Sequence, residues 1–177
     1  MTRFGGTPRV VWVGHREVDC RRHPDPRSVW PMRISPNAFA PAQPHSALFL
    51  SPDHAVFVDD VLIPVRLLIN GTTIRPIETS RVTWYHVELE EHNVVFAEGL
   101  AVESYLDQHD REFFTNGGVP VRLFPELAAR TWEMAGCAPL VVSGPRLAQV
   151  RAMLEKRAGG GMFAECTARA ATAVASP

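Results

Sequence analysis

The chain has 177 residues, long enough for one domain with a real core. Hydrophobic residues make up 46% and charged residues 21%, ordinary globular usage, and the net charge of −1 gives no bulk pull toward nucleic acid or a membrane surface. The three cysteines, Cys20, Cys137 and Cys166, are widely spaced and form no CxxC pair or Cys/His cluster. That excludes a disulfide framework and a zinc-finger-type metal site, and no cofactor is expected. The start, MTRFGGTPRVVWVGHR, lacks an apolar stretch with a small-residue cleavage site, and no run has the length of a membrane span. Read as written, the chain stays in the cytoplasm; a longer parent could be exported.

In chain order, Pro8 to Val13 reads as a strand ended by Gly14, followed by a polar turn region through Pro26. Val29 to Ile34 predicts a short strand, with Pro31 favouring an edge or a bulge. Ser35 to Ser46, carrying Pro36, Pro41 and Pro44, reads as a surface loop. His15, His23 and His45 lie in polar surroundings without a second ligand at metal spacing and read as solvated surface histidines.

Leu48 to Ser51 predicts a strand that delivers the step Ser51-Pro52-Asp53-His54. Ala55 to Val58 and Val61 to Val65 then flank Asp59-Asp60, the signal for a two-residue hairpin turn. Paired acids also suit a hard cation, but no further oxygen ligands are nearby, and turn chemistry is the better reading. Arg66 to Ile69 predicts one helical turn, closed by Asn70-Gly71. A His beside a hydroxyl at a strand junction suits polarisation of a backbone amide. The same spacing also fits a hairpin whose His caps a turn.

Val82 to Glu90 is the longest strand candidate, alternating a mixed face (Val82, Trp84, His86, Glu88, Glu90) with an apolar one (Thr83, Tyr85, Val87, Leu89), as a half-buried antiparallel strand requires. Val94 to Ala97 and Leu100 to Val102 follow around Glu98-Gly99. Pro125 to Ala135 predicts a helix bounded by Pro125 and Gly136. Leu140 to Ser143 is a further strand candidate. A second helix opens at Gly144-Pro145, placing Leu147, Val150 and Leu154 on one core-facing side, and Gly159-Gly160-Gly161 is its expected stop. The Ala/Thr/Ser-rich tail from 158 reads as disordered.

Three stretches, LSPDHAVFVDDVLIPVRLLING, WYHVELEEHNVVFAEGL and AVESYLD, together resemble the Hint (hedgehog/intein) domain, in a bacterial branch whose last strand reads ESYLD. The resemblance covers Pro8 to Phe114. It implies a mainly β, Hint-type fold of short antiparallel strands lacking its first strands (8–114); the residues that follow read as a helical extension with two helices (115–157) and a disordered tail (158–177). It also implies autoprocessing: a leading Cys attacks its own preceding carbonyl in an N-to-S acyl shift. Ser51 and His54 match the family's Thr/Ser-x-x-His motif, where His protonates the leaving amide nitrogen, and His92 matches a second polar site. Glu103-Ser104 stands where inteins carry His-Asn, so Asn cyclisation is excluded.

The leading strand with the nucleophile has no counterpart, and Cys20 sits at no motif position. The resemblance therefore implies an N-terminally truncated domain, inactive alone, whose substrate is its own chain. One alternative is a C-terminal half that completes a separate N-terminal Hint fragment; another is a non-catalytic all-β interaction module. The missing strands should leave an exposed edge beside Arg9 to Val13, a place for self-association. A metal-dependent hydrolase built on Asp53, His54, Asp59 and Asp60 ranks last, for want of a water-activating partner.

Overall fold

A computed structural model describes residues 8–108, 111–117, 131, 132 and 134–172; from 161 onward only the backbone is considered. Nine strands precede a long helix: β1 (Val10–Asp19), β2 (Met32–Ile34), β3 (Leu48–Leu50), β4 (Ala55–Val58), β5 (Val61–Pro64), β6 (Ile74–Pro76), β7 (Arg81–Leu89), β8 (Val94–Ala97), β9 (Leu100–Glu103) and α1 (Pro145–Thr172). The strand pairs are all antiparallel, in a β1-β7 ribbon and sheets of order β3-β2-β6 and β5-β4-β9-β8. The mainly β, antiparallel class expected from the sequence is what the chain adopts.

The four-stranded sheet explains why residues 55–65 are an almost unbroken apolar run. Val56, Val61 and Ile63 point into one cluster with Ile34, Leu68 and Ile74, while Ala55, Phe57 and Leu62 point into a second with Val94. Both faces are covered, so alternation with polar residues disappears. Asp59 and Asp60 both take positive φ, 50° and 61°, the geometry of a type I′ hairpin turn, and Glu98 and Gly99 do the same between β8 and β9. Val56 pairs with Val102, which carries the end of β9 beside the start of β4. That crossing places Glu103 next to His54.

The helix completes the larger cluster. Leu147, Val150 and Leu154, spaced as expected, are buried against it. Of the helix expected over Pro125 to Ala135, only 131, 132, 134 and 135 are described, and they are helical. Residues 139–141 add to the edge of β5, with Leu62 N–H donating to the Pro139 carbonyl and Val141 N–H to the Leu62 carbonyl. Among the described residues no helix is long and apolar enough to cross a membrane.

Four local expectations change. β1 does not end at Gly14 but runs on to Asp19, paired along β7 to Arg81. Gly14 instead makes room for the Trp12 ring: a Cβ there would come within 2.1 Å of it. β2 is the central strand of its sheet rather than an edge, because Pro31 precedes it and contributes only its carbonyl, to Ile77 N–H. On β7 the mixed face is half-buried while Thr83, Tyr85 and Val87 of the apolar one turn outward, with Tyr85 68% exposed; only Leu89, at the end of the strand, is buried. The α1 backbone passes through Gly159–Gly161 to Thr172, beyond the expected stop and into the tail read as disordered; residues 173–177 lie outside the described set.

Candidate functional site

The turn carrying His54 is fixed by backbone bonds before any side chain acts. His54 N–H donates to the Ser51 carbonyl at 3.1 Å, Val65 N–H to the His54 carbonyl at 3.0 Å, and Arg66 N–H to the Pro52 carbonyl at 3.0 Å. Asp53 pairs with Arg66 on the outside of the same turn. Ser51 is therefore tied to His54 through the main chain rather than through its hydroxyl.

The imidazole points at the end of β9. Nε2 lies 3.1 Å from the Glu103 carbonyl oxygen, an acceptor only, so Nε2 carries the hydrogen and Nδ1 is the basic position of the neutral ring. Burial, then the neighbouring His86, lowers the His54 imidazole to about 4, against the bond to Glu103. At neutral pH the ring is uncharged.

His92 meets the next carbonyl. Its Nε2 donates to the Ser104 oxygen at 3.1 Å, and its Nδ1 accepts the Cys137 N–H at 3.0 Å. The side chain is fully buried, edge-on to Trp132 with centroids 5.1 Å apart. Burial lowers this imidazole too, to about 4. Asn93 N–H donates to the Ser104 hydroxyl at 3.0 Å, and Ser104 N–H to the Asn93 carbonyl at 2.7 Å, so the end of β9 is clamped to the His92 loop.

Glu103 joins the two histidines. Its carbonyl serves His54, while its carboxyl Oε1 accepts the Ala55 N–H at 2.6 Å and its Oε2 stands 3.9 Å from His92 Nε2. Burial raises this acid to about 8, opposed by the Ala55 bond and reinforced by Asp53. A pocket of about 270 Å³ opens here, lined by Ser51, His54, His86, Glu103, Ser104 and Tyr105 among others. Trp12, Tyr105, His86 and Phe114 form an aromatic cluster beside it, with ring centroids 5.0–5.8 Å apart.

The three residues singled out in the sequence are thus brought to one region, where Ser51 and His54 meet only through a main-chain hydrogen bond and His92 stands apart from both. Ser51 and His54 line the pocket, whereas His92 lies behind Glu103 and Ser104. His15, His23 and His45 do not line the pocket, and exposed His45 pairs with Glu98 at 3.4 Å. Sequence reasoning missed His86, whose ring is 5.9 Å from that of His54, the carboxyl of Glu103, and the contact of Cys137 with His92. The signal for His86 was present: a His on the mixed face of the longest strand. Cys20 is buried at the end of β1, and burial pushes the Cys137 thiol up to about 11; neither cysteine lines the pocket. Among the described residues no group of three or more His, Cys, Asp or Glu side chains could hold a metal ion.

No curated protein and no solved structure matches the chain. A family model described as the Hint domain matches residues 1–109, well over half of the 177. The chain belongs to the Hint domain family.

Proposed function

We propose that this domain carries the proton-transfer half of a self-processing acyl-transfer site, inactive until a nucleophile reaches the His54 pocket. The carrying observation is His54 itself: a neutral imidazole, fixed by its turn, donating Nε2–H to one carbonyl and keeping Nδ1 as a base at the wall of a pocket. A thiol brought there loses its proton to Nδ1 and adds to a peptide carbonyl. A base at the outset is the opposite of the proton donor that the family motif implies for His54. Ser51 in this reading orients the scissile peptide, and His92, with both ring nitrogens committed to backbone groups, holds the end of β9 in place.

The nucleophile comes from a separate N-terminal Hint fragment or a preceding part of the same polypeptide, since neither described cysteine lines the pocket. Residues 8–114 form the Hint unit, with 115–157 as its extension. The β1 edge is the docking place: among the described residues β1 pairs with β7 on one side only, and its other side meets Thr115 and Asn116 at Val13 to His15. Val10, Val11 and Val13 are 45–51% exposed there. The same patch favours a second reading, an interaction module or self-associating chain without chemistry. Mixing the chain with a synthetic N-terminal Hint half bearing a Cys separates the two. Thiol-dependent cleavage that is lost in His54→Ala supports processing; stable association without cleavage supports the module.

A further inference from the structure

The Glu103 carboxyl sits where a negative charge has nothing to balance it. Its side chain is only 12% exposed, and among the described residues its one short polar contact is the Ala55 N–H at 2.6 Å. His92, 3.9 Å from Oε2, is not a counter-ion: a ring whose Nδ1 accepts the Cys137 N–H and whose Nε2 donates to Ser104 is neutral. The other titratable groups around it are Asp53 and His54 from the turn before β4, Arg66 just after β5, His86 of β7 beyond His54, Tyr105 on the same pocket wall, and Cys137 behind His92. Asp53 is itself an acid paired with Arg66, and His54 donates its Nε2–H to the Glu103 main-chain oxygen as a hydrogen bond, not to the carboxyl. Among the described residues no Arg or Lys pairs with Glu103. A carboxylate here gives up water for a single N–H, so the neutral acid is favoured.

We propose that Glu103 is the proton donor of the acyl-transfer site, its neutral carboxyl protonating the departing amide nitrogen while His54 takes the proton of the attacking nucleophile. This rests on the acyl-transfer reading of the pocket, whose wall Glu103 shares with Ser51 and His54. The step balances. The thiol of the incoming Cys gives its proton to His54 Nδ1, and sulfur bonds to the peptide carbonyl carbon. The carbon–nitrogen bond then breaks, and the nitrogen leaves as an amine with the Glu103 proton. The imidazolium and carboxylate that remain restore each other by one proton transfer. Burial pushes the two groups apart, Glu103 up to about 8 and His54 down to about 4, so both hold the required state at neutral pH.

Two measurements on the full chain test this. The first is the infrared carboxylic C=O band at neutral pH, identified as the one lost in Glu103→Gln; its presence is expected. The second is the rate of cleavage with the Cys-bearing N-terminal half across pH. Wild type should lose rate as pH rises through about 8. Glu103→Gln should fall by about 100-fold with no such alkaline limb, and Glu103→Asp should recover part of both. An ionised Glu103 at neutral pH overturns the donor role alone. So does Glu103→Gln cleaving at the wild-type rate with the wild-type profile. A neutral Glu103 in a wild-type chain that cleaves nothing overturns the acyl-transfer reading and the donor role with it.

Discussion

Raising the pH from about 6.5 to 8 should destabilise this protein, and Glu103→Gln should abolish the effect. His54 and His92 have folded values near 4, below the 6.5 of a free imidazole. Their neutral forms contribute stability that is complete above pH 6.5 and lost as pH falls toward 4. Glu103 is the reverse case, raised from 4.5 to about 8, so its contribution is complete below pH 4.5 and lost as pH rises toward 8. Between 4.5 and 6.5 the unfolded chain binds two more protons at the imidazoles and one fewer at the carboxyl. Stability then climbs with pH by the linkage of one proton, on the order of 1 kcal/mol per unit. Above 6.5 only the carboxyl term remains, and stability should fall by about 2 kcal/mol up to pH 8. The result is a maximum near pH 6.5. Glutamine keeps the acceptor for Ala55 N–H and cannot ionise, so its alkaline limb should be flat and its acid limb twice as steep. Urea unfolding followed by tryptophan fluorescence at several pH values reads all of this. A wild-type curve that is level or rising from 6.5 to 8, or an unchanged fall in Glu103→Gln, refutes the reasoning.

Other perturbations follow from the same contacts. His92→Ala strands the Ser104 carbonyl and the Cys137 N–H in a buried place and should cost about 3 kcal/mol by urea midpoint, more than His54→Ala, which strands one group at a pocket wall. Leu154→Ala should cost about 3 kcal/mol, because the side chain is fully buried in the main cluster; a change under about 0.5 kcal/mol would make α1 an appendage. Gly14→Ala should lower the melting temperature, since the new Cβ collides with the Trp12 ring, and replacing Trp12 with a smaller residue in the same chain should relieve it.

Much of this was legible in the sequence, because it is local. The Asp59-Asp60 turn, the apolar runs around it, and the Leu147, Val150, Leu154 stripe depend on spacing within a few residues, and the structure uses each as expected. What was hidden depends on contacts between distant segments. His54 and Glu103 are 49 positions apart and meet only because Val56 pairs with Val102. β7 shows the limit of pattern reading. Its apolar face looked like the buried one, yet Tyr85 and Val87 face out and only Leu89 at its end is buried. His86 and Glu88 turn inward because Tyr105, Phe114 and Arg111 lie there to receive them. Periodicity locates two faces and does not say which has a partner.

Acyl transfer at the His54 pocket is tested most directly by intact mass spectrometry of the chain mixed with a Cys-bearing N-terminal Hint half in the presence of hydroxylamine. A hydroxamate on the released segment, formed by wild type and absent with His54→Ala, is the predicted result, since only an acyl intermediate is trapped in that way. No hydroxamate from a mixture shown to associate, or the same yield with His54→Ala, contradicts it.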